Sequence, residues 1–287
     1  MSNAIELKNV NKSFKTFSLK DISFSLDTGF IMGFVGQNGA GKTTTIKLIL
    51  DMLKLDSGEI KIFNKDHQRH ADVIKEDLGI VMDKSYFVDE WTLRDVEKAM
   101  SPFYINWSSL KYSKLLKDFG LDKNKKVKEL SKGMNMKLMI AVALSHDAKL
   151  LILDEPTSGL DPVARDELMD MLREYVLDEN RSVLFSTHIT SDLEKIADYV
   201  TVIQNGKIYY TGPKDELLEQ YALVKGGQNV LNDSLKKLLI GLREHSVGFD
   251  AIAKRDEVKH LKNIVTENVT LDEIIIRIEK ESRKSEK

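Results

Sequence analysis

The stretch that most constrains this chain is "GQNGAGKTT", Gly36 to Thr44, lying between the apolar run "FIMGFVG" and the helix-spaced run "KTTTIKLILDMLKL". It matches the pattern Gly-x4-Gly-Lys-Thr, and a strand before it with a helix after it is the context that pattern requires. Gly36, Gly39 and Gly41 allow the backbone of Gln37, Asn38 and Ala40 to turn its N–H groups inward around phosphate oxygens. The start of the following helix, with Thr44, adds its positive end. Lys42 is expected to bridge the terminal phosphates and the Thr43 hydroxyl to ligate Mg²⁺, so a nucleotide's phosphates and Mg²⁺ are the expected ligands. The chain must then build a sheet that delivers such a loop at a strand end.

The remaining pattern supplies that sheet. "KLLILDEP" and "SVLFSTH" are short apolar runs of the buried-strand kind. "PVARDELMDMLREYV" is an amphipathic helix, and "VTVIQNGKIYYTG" is two strands around Asn205-Gly206, a type I′ hairpin signal. Strands alternating with helices predict an α/β fold with a mainly parallel nucleotide-binding core. The alternating strands of residues 4–31 predict an antiparallel β subdomain beside it. Residues 84–148 read as a helical subdomain through "TLRDVEKAM", "SLKYSKLLKDFG" and "MKLMIAVALSH". These elements form a domain over 1–221.

Beyond it, residues 222–287 read as a small accessory domain. "LVKGGQNVLNDS" is expected as a linker or loop, and "SLKKLLIGL" has the helical spacing that puts Leu235, Leu238, Leu239 and Leu242 on one apolar face. "TLDEIIIRIEK" opens with a capping box of Thr270 and Glu273, and "KESRKSEK" ends the chain as a solvated tail.

"LLILDEP" provides the second half of a nucleotide site. Asp154 at the strand end is expected beside the magnesium, and Glu155 facing the attacking water. Adjacent strand residues point to opposite faces, so both serve one site only if the strand ends there in a turn. His188 leaves the core strand "SVLFST" where such sheets gather ligands, and is expected at the γ-phosphate. His67 and His70, in "KDHQRH", read as surface loop.

Composition narrows the class. Of 287 residues 42% are hydrophobic and 31% charged, with a net charge of −2 and no cysteine. That balance gives no reason to expect nucleic acid, and disulfides and thiolate metal sites are excluded. The apolar runs fall short of the roughly 20 residues that span a bilayer, and the N-terminus lacks a basic-then-apolar leader. A cytoplasmic location is expected, with any membrane role reached through a partner.

The order phosphate loop, "LSKGM", "LLILDEP", "SGLD", strand-terminal histidine resembles the ATP-binding cassette ATPases over about residues 4–218. In that family two cassettes meet head to tail. The resemblance implies that Ser131 and Gly133 touch the nucleotide of the other cassette, that "SGLD" with Asp161 runs along the same interface, and that Phe14 of "NKSFK" stacks on adenine. Two departures stand out. Lys132 and Met134 replace the first glycine and the glutamine of the usual Leu-Ser-Gly-Gly-Gln. Asp83 stands where the loop after "LGIVM" should offer a glutamine to magnesium, and is expected as a third metal ligand.

A single cassette looks most like the ATPases of bacterial antibiotic and peptide exporters, docked on the inner face of the cell membrane beneath integral membrane subunits. The alternative, a soluble cassette protein acting on ribosomes or DNA, usually carries two cassettes, coiled coils or zinc modules, which this sequence lacks. A GTP switch would need Asn-Lys-x-Asp, but "NKDH" puts His67 at the aspartate.

Overall fold

The structure, a computed structural model, describes residues 2–285, with side chains through residue 281. The end of the "KESRKSEK" tail, residues 286–287, lies outside the described residues. Strands β1 (Asn3–Ser13) and β2 (Ser18–Asp27) pair antiparallel; β3 (Ile31–Val35) then enters the core and leads into α1 (Lys42–Ile49). β4 (Ser57–Ile62) and the short β5 (Lys65–Asp66) complete a four-stranded antiparallel sheet in the order β2-β1-β4-β5. After α2 (Ala71–Glu76) and β6 (Leu78–Val81) comes a helical layer of α3 (Leu93–Met100), α4 (Ser109–Asp118) and α5 (Lys132–Ser145). The chain returns through β7 (Leu150–Asp154), α6 (Pro162–Tyr175), β8 (Ser182–Thr187), α7 (Thr190–Ile196), β9 (Tyr199–Gln204) and β10 (Lys207–Pro213).

The second sheet runs β10-β9-β3-β8-β7-β6, parallel throughout except for the β9–β10 hairpin. Asn205 and Gly206 both have positive φ, 46° and 72°, as a type I′ turn requires. Every residue of β3, β7 and β8 is buried, which explains their unbroken apolar runs. The carboxyl ends of β3, β8, β7 and β6 therefore open on one edge, and they carry the phosphate loop, His188, Asp154 with Glu155, and Asp83.

The helical layer closes against this sheet. α5 is apolar almost all round and buried from Leu138 through Ser145, as a helix without a solvent face must be. Its C-cap His146 fixes it to the sheet, with one ring nitrogen 3.0 Å from Val142 O, the other 3.0 Å from Leu78 O, and Tyr104 stacked on its face.

After α8 (Lys214–Gln220) a third, antiparallel sheet forms from β11 (Tyr221–Gly226), followed by α9 (Asp233–Lys236), β12 (Ile240–His245), β13 (Gly248–Lys254), α10 (Arg255–Val258) and β14 (Ile264–Glu267), in the order β12-β13-β11-β14; α11 (Leu271–Ser285) ends the described chain. Two expectations fail here. "LVKG" ends β11, with Tyr221 through Val224 buried, so the segment opens in a strand and not in a linker or loop. "SLKKLLIGL" is one helical turn followed by a strand, because Gly241 adopts φ +63° with the Arg277 backbone 2.7 Å from where a Cβ would stand. Leu235 and Leu239 are buried nonetheless. The Thr270–Glu273 capping box is present, each side chain taking the other's backbone N–H.

Candidate functional site

The phosphate loop is built by close approach. A Cβ on Gly36 would stand 2.3 Å from Ile203 O, so only glycine lets the loop pass β9. Gly41 starts α1 at φ +118°, with Leu19 and the Phe17 ring against its α-carbon. Lys42, 5% exposed, points back into the loop: its ammonium donates to Gly36 O at 2.6 Å and Gln37 O at 3.3 Å. It also lies 3.2 Å from Glu155 Oε1, an ion pair without hydrogen-bond geometry. Asn38, Gly39 and Thr44 line the same pocket beside Phe17, while the Ala40 N–H closes the turn on Gln37 O.

Asp154 and Glu155 meet the condition that adjacency imposed. β7 ends at Asp154, and Glu155 takes φ +52°, a left-handed conformation costly for a side-chain-bearing residue. That one rotation brings both carboxylates to the same edge. Asp154, 2% exposed, accepts from the Thr43 hydroxyl at 2.9 Å and the Ser186 hydroxyl at 2.6 Å. Thr43 and Asp154 form an all-oxygen donor set of the kind Mg²⁺ takes, and the fit is good: when bound, the ion would neutralise phosphate charge there. Ser186 was missed in the sequence, hidden inside an apolar strand.

Glu155 is held on both sides. His188 Nδ1 sits 2.7 Å from Oε2 and Lys42 faces Oε1. A carboxylate fixed between two cation-capable groups, at the mouth of a phosphate loop, is placed to take a proton from water attacking a terminal phosphate. Thus the loop 36–44, Asp154, Glu155 and His188 converge.

Five expected residues lie elsewhere. Asp83 makes no contact with Thr43 or Asp154 among the described residues; its carboxylate is held 2.7 Å from the Lys132 ammonium, so the expectation of a third metal ligand is not met in this arrangement. Ser131 caps α5, accepting from the Met134 N–H, and Gly133 follows in its first turn. Asp161 caps α6 through the N–H groups of Ala164 and Val163, which hold its carboxyl below the usual range. Phe14, 45% exposed, lines an open cleft with Lys15, Ser18, Asn205 and Lys207. Phe17, which the sequence reading passed over, lies closer to the phosphate loop. His67 is buried, with Nδ1 3.1 Å from Ile60 O, so it is a core residue and not surface loop.

A protein-family model described as ABC transporter matches residues 19–158. The chain is 33% identical to the bacitracin transport ATP-binding protein BcrA of Bacillus licheniformis, over 76% of this chain and 72% of that one. It is 31% identical to the Nod factor export ATP-binding protein I of a Rhizobium strain, over 76% of this chain and 73% of the relative. A solved ATP-binding subunit of an ABC transporter superposes with a TM-score of 0.67 at 28% identity, covering 76% of this chain and 92% of its own. With the site's geometry, these likenesses establish that the chain belongs to the ABC transporter ATP-binding proteins, ATPase cassettes that hydrolyse ATP to drive transport.

Proposed function

We propose that this cassette is the ATP-hydrolysing subunit of a membrane exporter, working in a head-to-tail pair with an identical or related cassette. The observation that carries the pairing is that, among the described residues, Ser131 and Gly133 make no hydrogen bond to their own chain's phosphate loop. They sit at the head of α5, where the Ser131 hydroxyl already caps the Met134 N–H and the N–H groups of Lys132 and Gly133 have no intrahelical acceptor. A phosphate supplied by another cassette would satisfy them. Asp161 lies at the head of α6, on the loop that would run along the same seam.

The export reading is supported by what the names of the two relatives say of those proteins, bacitracin transport and Nod factor export. Among the described residues no helix is long and apolar enough to cross a membrane, so integral subunits are the proposed membrane partners, with this chain on the cytoplasmic face. Phe103 and Ile105, 74% and 89% exposed on the loop between α3 and α4, offer apolar anchors for a helix of such a subunit. In this reading residues 1–221 are the cassette and 222–287 an accessory unit; nucleic acid has no part.

The test is complementation between two inactive chains. Gly133→Asp puts a negative side chain where a phosphate should approach, and the added Cβ meets only the movable Leu160 side-chain tip at 3.2 Å, so the variant is expected to fold. Lys42→Ala empties the phosphate loop. Each chain alone is expected to hydrolyse little ATP, and the mixture to regain activity from one hybrid site per mixed pair. A Gly133→Asp chain with normal turnover, or a mixture as inactive as its parts, would overturn the paired reading.

A further inference from the structure

His188 stands on a loop of two residues between β8 and α7, and the far end of that loop is held by the chain's last helix. Thr190, the first residue of α7 and 5% exposed, donates its hydroxyl to Asp272 Oδ1 at 2.8 Å. One turn later Glu194 Oε1 accepts from the Leu271 N–H at 2.6 Å. The first turn of α11 is therefore bonded to both ends of the first turn of α7. On the near side the loop is closed by the Thr187 hydroxyl, which accepts from the Ile189 N–H at 2.9 Å.

The helix making these bonds is itself fixed. Leu271 and Ile274 are fully buried and Ile278 nearly so, in the same apolar core as Leu193 and Ile196 of α7. Arg277, 4% exposed, donates to Gly241 O at 2.7 Å and Asp250 O at 2.9 Å and pairs with the Asp250 carboxylate, so α11 cannot slide along its axis. The result is a cleft with Gly36, Asn38 and His188 on one wall and Asp272 and Ile276 on the other.

We propose that α11 is a positioning element for His188, with Asp272 as the residue through which it acts: the Asp272–Thr190 bond sets where the His188 ring meets Glu155. The inference rests on the assignment of His188 to the γ-phosphate site. It gives the accessory region a place in hydrolysis that its distance in sequence from every nucleotide motif conceals. Asp272 itself is solvent-exposed. Surface residues of that kind rarely matter to stability, so a loss of turnover there is separable from a loss of fold.

The experiment measures ATPase kinetics and thermal unfolding of the full chain carrying Asp272→Ala, Asp272→Asn, Thr190→Val, the Asp272→Ala/Thr190→Val double variant, and His188→Ala. Asp272→Ala is expected to lower kcat about tenfold, less than the roughly hundredfold cost of misplacing a reacting group by about 1 Å. KM for ATP should stay within about twofold, since uniform binding is untouched. Asp272→Asn, whose amide oxygen still accepts from Thr190, should keep most of the activity. Thr190→Val should match Asp272→Ala, and the double variant should be no worse than either. The His188 ring resonances, assigned in NMR spectra by their loss in His188→Ala, should shift in Asp272→Ala. Wild-type kcat in Asp272→Ala alongside a crippled His188→Ala would overturn this inference alone. A drop in kcat that tracks a drop in Tm and is not rescued by Asn would also overturn it. Wild-type turnover in His188→Ala would overturn the His188 assignment and this inference together.

Discussion

Asp83 and Lys132, two positions where this chain departs from the usual cassette sequence, are bonded to each other at 2.7 Å. The same ammonium lies 3.5 Å from the Ser158 hydroxyl, so one cation ties the loop after β6, the head of α5 and the loop after β7. Both partners are nearly half exposed, 46% and 42%. An ion pair of that kind contributes only about 0–1 kcal/mol, too little to hold the fold and little enough to exchange when a phosphate arrives.

The first prediction concerns that pair. Lys132→Met and Asp83→Asn are each expected to change ATPase turnover by no more than about fivefold, the equivalent of about 1 kcal/mol. In the double variant the two effects should overlap and not multiply. Asp83→Gln, which restores the family's usual residue, should preserve or raise turnover. ATPase rates of the four chains decide it; strictly multiplicative effects would mean that the two side chains act independently.

Glu155 carries the next expectation. Its left-handed backbone and its contacts with Lys42 and His188 place its carboxylate at the mouth of the phosphate loop. Glu155→Gln keeps the shape and removes the base, so turnover should fall about 10²- to 10⁴-fold while ATP still binds. Binding is read by equilibrium titration and hydrolysis by phosphate release. Turnover within a few-fold of wild type would remove Glu155 from the role of base.

Much of this site was legible because its chemistry is local in sequence. Gly36 through Thr44 is one loop, and Asp154–Glu155 one strand end, so pattern alone located them. What the pattern could not carry was tertiary pairing. Asp83 and Lys132 are 49 positions apart, and nothing in either segment points to the other. Ser186 looked like an interruption in an apolar strand until Asp154 lay across from it in the adjacent β7. The resemblance pointed to Phe14 alone, and only placement in the fold shows Phe17 as the ring against the phosphate loop. The accessory region misled for a different reason: its strands are short and Gly226, Gly241 and Gly248 stand within them, so turn chemistry outweighed a weak period-2 signal, and Gly241 broke what looked like a helix.

A pH prediction follows from His146. Burial holds its imidazole below the ordinary value of 6.5, against the partial support of Leu78 O and Val142 O. Below that ordinary value the unfolded chain binds a proton that the folded ring resists. The contribution is thus complete above pH of about 6.5 and is lost as pH falls beneath it. Thermal unfolding between pH of about 7.5 and about 5.5 should show Tm falling in the wild type and a shallower slope in His146→Phe, which keeps a ring against Tyr104. The slope is the readout, because the substitution lowers Tm at every pH. Identical slopes would place the titration elsewhere.

The last prediction separates the two rings of the loop between β1 and β2. Phe14 is exposed, held out by its N–H donating to Phe17 O at 2.8 Å, with the Lys12 ammonium 5.8 Å from its centroid. Phe17 is turned inward, and its ring tip would stand 3.0 Å from a Cβ on Gly41. One ring is free to stack on a base; the other supports the phosphate loop. Stacking is worth about 0.5–1.5 kcal/mol, so Phe14→Ala should weaken ATP binding up to about tenfold, and Phe14→Tyr should restore it. Inorganic triphosphate has no base, and its competition against a fluorescent ATP analogue should be unchanged by Phe14→Ala. Phe17→Ala should weaken ATP and triphosphate alike, because it disturbs the loop both use. If Phe14→Ala weakens triphosphate as much as ATP, Phe14 supports the loop and does not read the base. If only Phe17→Ala discriminates between the two ligands, the roles of the rings are exchanged.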